Sequence, residues 1–335
     1  EAPPTEAAGS RSLSAPEGGP LRLEADLEVC LARLPAALWP DLRAEDHPLA
    51  SLRLENPSYE HTARVRVTAS VEGLSGMQEV LAEIEPLDEV AIPLLPPPAA
   101  DFDASRRPAR GRLVVRVEER ETGELVWEGA RPVWLLEPSF FPLGVRDPRT
   151  GDWQDFSLYL AKYITPDAEA IRRLVETAAG LHPEGKFAGA SGPITPQVQA
   201  LLAALRRADL RPAGDTGLRR TNDSVLVAAP RRPAEVLAAG AADSLEFALL
   251  FASLLHAVAI NAVVFISEAY TGPGWTDEAG GYLQLHHLLS EEFEGLMRGA
   301  TEAVQPARRR RPKSKDYPAF VAVELAEMYR AGLLG

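Results

Sequence analysis

Two hydrophobic periods divide this chain. From residue 21 to about 136, apolar and polar residues alternate in LRLEADLEVCL (21–31), TARVRVTASVE (62–72), EVLAEIEPLDEVAIPLL (79–95) and RLVVRVEERETGELVWEGARPVWLL (112–136). Every second side chain then falls on one face, as in strands that bury one side of a sheet. Glu121, Thr122, Gly123 and Glu124 supply a hairpin turn in the last run, and Pro-rich breaks such as LPPPAADFDASRRPARG (95–111) separate the others. Five to seven such strands with no helical run predict an antiparallel β-sandwich over 21–138. Ahead of it, residues 1–20 (EAPPTEAAGSRSLSAPEGGP) show no apolar period and read as a disordered tail.

Residues 137–152 form a Pro/Gly-punctuated connection, after which the period becomes helical; the second domain is expected over 150–335. Thr165-Pro166-Asp167 and Thr195-Pro196-Gln197 predict two helix starts, each with Thr as N-cap and Pro at the first helical position. Val198, Leu201, Leu202 and Leu205 make one buried stripe. Asp243 and Ser244 open a nearly all-apolar helix from Leu245 to about Val258, and a break at Ile260 and Asn261 leads into a strand over Ala262–Ile266. A further strand is expected at YLQLHHLL (282–289), and Phe320, Val323, Leu325, Met328 and Leu333 predict a closing helix within 317–335. The chain is therefore expected to be α+β.

The formal charge of −13 over 335 residues weighs against nonspecific binding to nucleic acid or anionic lipid, both polyanions. One short strip opposes it: Arg308, Arg309, Arg310, Arg311, Lys313 and Lys315. It suits an acidic protein partner better than nucleic acid, because it lacks the interleaved aromatics of a stacking platform. The single cysteine excludes an intrachain disulfide and a Cys-based zinc cluster. Cys30 has the opposite parity to Leu27 and Val29, which predicts the wetter face of its strand. HPEGKFAGASGP (182–193) lacks phosphate-loop spacing, so nucleotide binding is not expected there; with no other cofactor motif and no Cys cluster, neither a cofactor nor a metal is expected. Phe247–Ile266 approaches the length of a membrane span, but Ser253, His256 and Asn261 interrupt it, and it reads as a core helix and strand. With no secretory signal visible, a cytoplasmic location is expected.

The region around the apolar helix resembles a known family. Arg231 or Arg232, Pro233, Glu235, Val236 and Leu237, then Ala248 to Leu255, Ile260 and Asn261, are similar to the core of bacterial transglutaminase-like proteins that carry a β-sandwich ahead of a papain-type α+β domain. That family places a Cys nucleophile at the helix N-terminus, where free N–H groups and the helix dipole favour a thiolate. A His follows on the next strand and an acid on a later one. In that register the Cys falls on Ser244, the Asp two residues later on Glu246 and the acid on Gln284, and no His lies between His256 and His286. The resemblance implies a degenerate, noncatalytic binding or assembly subunit of a bacterial multiprotein system, defence-related, with an ATPase or nuclease subunit as its protein partner.

Two rival readings come from the residues. A Ser/His hydrolase or acyltransferase would use Ser244 with His286 as base, and Asp243 or Glu246 as the third member. On a regular strand His286 and His287 face opposite ways and cannot share a metal, and His287 has the parity of the packed leucines. A nucleic-acid-binding accessory subunit would act through Arg308 to Lys315. The plainest role for Asp243 or Ser244 is that of helix N-cap.

Overall fold

Alternation along the first part of the chain becomes two sheets. The computed structural model describes residues 22–31, 33–103, 110–212, 217–221, 225–266, 271–276, 282–284 and 321–333. The protein is mixed α+β with several sheets. It divides into two units, residues 1–141 with 145–154, and residues 142–144 with 155–335.

In the first unit, β1 (Glu24–Val29), β3 (Ala50–Glu55) and β6 (Glu89–Leu94) form an antiparallel sheet in the order β1-β3-β6. The second sheet runs β2 (Leu34–Pro35), β8 (Leu125–Leu136), β7 (Arg110–Glu119), β4 (Ala63–Val71), β5 (Gln78–Ile84), antiparallel except for β2 beside β8. The period-two pattern fixes which side is buried: Leu52 and Leu54 on β3, Val65, Val67 and Val71 on β4, and Leu113, Val115 and Val117 on β7 all face the core. The hairpin turn between β7 and β8 uses Gly123 at φ +72°, a left-handed conformation that glycine adopts without a Cβ clash.

Cys30 is not on the wetter face; it is 1% exposed. The strand period ends one residue earlier, at Val29, because the N–H groups of Cys30 and Leu31 both donate to the carbonyl of Leu49, at 2.9 and 3.3 Å. Two successive donors on one acceptor are a bulge, and a bulge shifts the facing of every residue after it.

β9 (Phe141–Arg146) and β10 (Trp153–Asp155) carry the chain into the second unit. There the described elements are α1 (Glu169–Ala179), α2 (Ile194–Arg207), the two-residue β11 (Arg211–Pro212), and a hairpin of β12 (Leu218–Thr221) with β13 (Val225–Ala228). α3 (Pro233–Ala239), β14 (Ala241–Ala242) and α4 (Ser244–Ala257) follow. β15 (Ala262–Ile266), β16 (Thr271–Thr276), β17 (Tyr282–Gln284) and β18 (Val321–Glu324) make an antiparallel sheet in the order β17-β16-β15-β18, and α5 (Leu325–Arg330) comes last. α4 packs on β15 and β16. Its Leu245, Ala248 through Leu255 and all five residues of β15 are buried, so helix and strand form the centre of this unit. Among the described residues, no helix is long and apolar enough to cross a membrane.

Three expectations change. Thr165 caps no helix: α1 starts at Glu169. The Thr165 N–H instead donates to Ser253 Oγ at 3.1 Å, and its carbonyl accepts from Ala168 N–H at 3.2 Å, which uses up residues 165–168 as a turn. α2 begins at Ile194, ahead of Thr195. Its approach is held by buried Gln197, which accepts from the N–H groups of Ala188 and Gly189 (3.1 and 2.9 Å) and donates to the carbonyls of Gly189 and Pro193 (2.9 and 3.0 Å). The closing segment is strand before it is helix, because Val321–Glu324 pairs with β15. The stripe of Val198, Leu201, Leu202 and Leu205 is buried as the spacing predicts.

Candidate functional site

The chain enters α4 through a sequence of tight fits. α3 ends at Gly240, whose φ of +65° is the left-handed C-terminal turn that glycine supplies. Ala241 and Ala242 then pair with Arg211 and Pro212, and Asp243 lies extended before the helix. Gly217 lies beside it at φ +74°; a Cβ there would meet Asp243 Oδ2 at 2.6 Å, so only glycine allows the approach.

Asp243, not Ser244, is the N-cap. Its Oδ1 accepts from the Glu246 N–H at 2.8 Å, and Glu246 Oε2 accepts in return from the Asp243 N–H at 3.1 Å. This reciprocal pair satisfies two backbone donors that a bare helix start would leave open. Ser244 becomes the first helical residue, and among the described residues no hydrogen bond reaches its hydroxyl.

Glu246 is 4% exposed inside an otherwise apolar helix. A buried carboxylate requires charge and hydrogen bonds in compensation. Arg231 supplies both: Nε donates to Oε1 and a terminal nitrogen to Oε2, each at 2.6 Å, and the Arg231 backbone N–H adds a bond to Oε1 at 3.1 Å. The same guanidinium donates to the Ala241 carbonyl at 2.8 Å, tying α4 to β14. Burial alone would push the Glu246 carboxyl up; the bonds from the Arg231 side chain and from the Asp243 and Arg231 backbones outweigh it and hold the group below its ordinary value. The guanidinium of Arg231 is raised in turn, chiefly by that same bond. Both acids at the head of α4 are thus engaged in building the helix start.

His256 stands twelve positions after Ser244 on the same helix, which at 1.5 Å per residue is about 18 Å away. Its ring meets Tyr329 edge-on, and its Nε2 is bonded to the tyrosine hydroxyl. Burial pushes its basicity down. Gln284 closes β17, its backbone opposite Gly274. His286, His287 and the basic strip Arg308, Arg309, Arg310, Arg311, Lys313 and Lys315 lie outside the described residues. Among the described residues, no three His, Cys, Asp or Glu side chains gather as metal ligands.

The structure therefore brings Asp243, Ser244 and Glu246 together and adds Arg231, a partner that residue spacing had not singled out. The signal for it was present: an acid at the third position of a helix made mostly of Leu, Phe and Ala must be paired when buried, and arginine pairs carboxylates bidentately. No protein-family model and no curated protein matches the chain.

Proposed function

We propose that this protein is a transglutaminase-like pseudoenzyme, a β-sandwich joined to a papain-type domain, that works as a noncatalytic binding or assembly subunit. The observation carrying this reading is the state of the two acids around Ser244. Asp243 caps the helix, and Glu246 is locked to Arg231 through both oxygens. A serine hydroxyl is a weak nucleophile until a base removes its proton and a third group orients that base. With its neighbouring carboxylates committed to the backbone, Ser244 serves as the first turn of a structural helix. The resemblance around 231–261 adds the setting, a bacterial, defence-related assembly with an ATPase or nuclease subunit; a cytoplasmic location and contact through the basic strip Arg308 to Lys315 complete the proposal from the sequence.

The decisive experiment treats the purified chain with a fluorophosphonate probe, beside Ser244→Ala and His286→Ala. The expected result is no labelling at Ser244. Labelling that both substitutions abolish would replace this reading with the Ser/His hydrolase.

A further inference from the structure

The first unit presents two outward sheet faces that differ in how their charges are balanced. On the five-stranded sheet cations and anions alternate and pair: Arg64 with Glu83 and Glu121, Arg66 with Glu79 and Glu118, Arg112 with Glu72, and Arg116 with Glu128. On the three-stranded sheet, whose one arginine, Arg53, stands opposite Asp26, the register sets Glu24 opposite Glu55, and Glu55 opposite Glu89. All three are exposed, and none has an ion-pair partner among the described residues. Like charges directly across a ladder oppose folding. The loop after β3 and the turn before β6 extend this charge with Glu60, Glu85 and Asp88, and neither contains a lysine or arginine.

Those same two segments display apolar side chains to water. Tyr59 is 81% exposed and Leu87 61%. Their backbone segments are joined, because the Leu87 N–H donates to the carbonyls of Asn56 and of Ser58, the residue before Tyr59, at 3.0 and 3.1 Å. Buried Asn56 locks the platform: its amide donates to the carbonyls of His61, Ile84 and Glu85 at 2.8, 3.0 and 3.2 Å, and its oxygen accepts from the Ser58 N–H at 3.1 Å. Leu87 has φ +61°, a left-handed conformation unfavourable for a branched side chain. Glycine or asparagine would relieve it, and an exposed leucine gains nothing from the core in return.

We propose that Tyr59 and Leu87 are the apolar anchors of a docking surface for a lysine- and arginine-rich segment of a protein partner, with Glu55, Glu60, Glu85, Asp88 and Glu89 as its charged rim. An aromatic anchor inside a polar border is how compact interfaces are built, and the excess of acids over the single Arg53 on this border selects a cationic occupant. The proposal rests on the assembly reading only for the existence of a partner; labelling of Ser244 would remove that reading and leave this surface as it is.

The test measures fluorescence anisotropy of a labelled synthetic peptide alternating Lys or Arg with Leu, against a Glu/Leu peptide of equal length. The basic peptide should bind, more weakly as salt rises. Leu87→Gly should keep or raise the melting temperature while weakening binding about tenfold, as loss of an anchor does. Glu55→Gln with Glu89→Gln should weaken it and flatten its salt dependence. The proposal is overturned by equal binding of the acidic peptide, by unchanged binding in Leu87→Gly, or by self-association that this variant abolishes, which would make the patch a contact between copies.

Discussion

Glu246 places a carboxylate among leucines, and four donors from Arg231 and Asp243 make that tenable. Glu246→Gln should destabilise the fold by roughly 2–4 kcal/mol in denaturant titrations; Arg231, 41% exposed, can recover some solvation when its partner is lost. Because the folded carboxyl sits below its ordinary value of 4.5, its contribution is present above that pH and is lost as pH falls through the folded value. The variant should therefore show a shallower acid limb of stability; equal stability of the two proteins at pH 7 would contradict the pairing. Cys30 behaves in the opposite sense. Burial pushes its thiol up to about 11, with Arg149 opposing and Asp147 and Glu28 assisting. The folded chain should resist alkylation at pH 8 and react only as it unfolds, and whatever this thiol contributes to stability should fade as pH rises from 9 towards 11. Rapid labelling of native protein would mean that Cys30 is not enclosed.

At the scale of elements, α4 depends on Asp243 rather than on Ser244. Asp243→Ala should cost about 0.5–2 kcal/mol, the range for losing an N-cap, and Ser244→Ala clearly less, both by chemical denaturation. The reverse order would return the cap to the serine. α4 and β15 were legible in the chain to within a residue, because a nearly all-apolar run longer than three turns followed by β-branched residues admits few other readings. The starts of α1 and α2 were not legible. There the Thr-Pro pairs obey local rules, but side chains that the pairs do not reveal decide where the helix begins: Ser253, 88 positions from Thr165, and Gln197, which gathers the loop eight and nine residues before it. β18 was hidden for a related reason: Val321 and Val323 become strand residues only because β15 has an edge to fill. At the candidate site, residue types placed Asp243 and Ser244 at the head of a buried helix, but the Arg231 lock joins positions fifteen apart and follows from no periodicity. Cys30 escaped because a bulge leaves no mark in the alternation.

Over the whole molecule, each unit has its own buried core: Leu52 lies fully inside the first and Leu249 inside the second. Leu52→Ala and Leu249→Ala should each cost about 2–5 kcal/mol, and calorimetry should show each lowering a different transition. One transition shifted alike by both would mean that the units unfold as one. The order of the last sheet has a consequence for biosynthesis. β15 takes β16 on one edge and β18 on the other, and residues 267–320 separate β15 from β18 along the chain. A nascent chain that has already extruded α4 and β15 therefore carries a largely apolar helix and an open strand edge until Val321 leaves the ribosome. During that interval neighbouring nascent chains compete for the edge that β18 will later fill, so slow codons or premature stops before position 321 should divert the product into aggregates, whereas a holdase present during translation should rescue the yield.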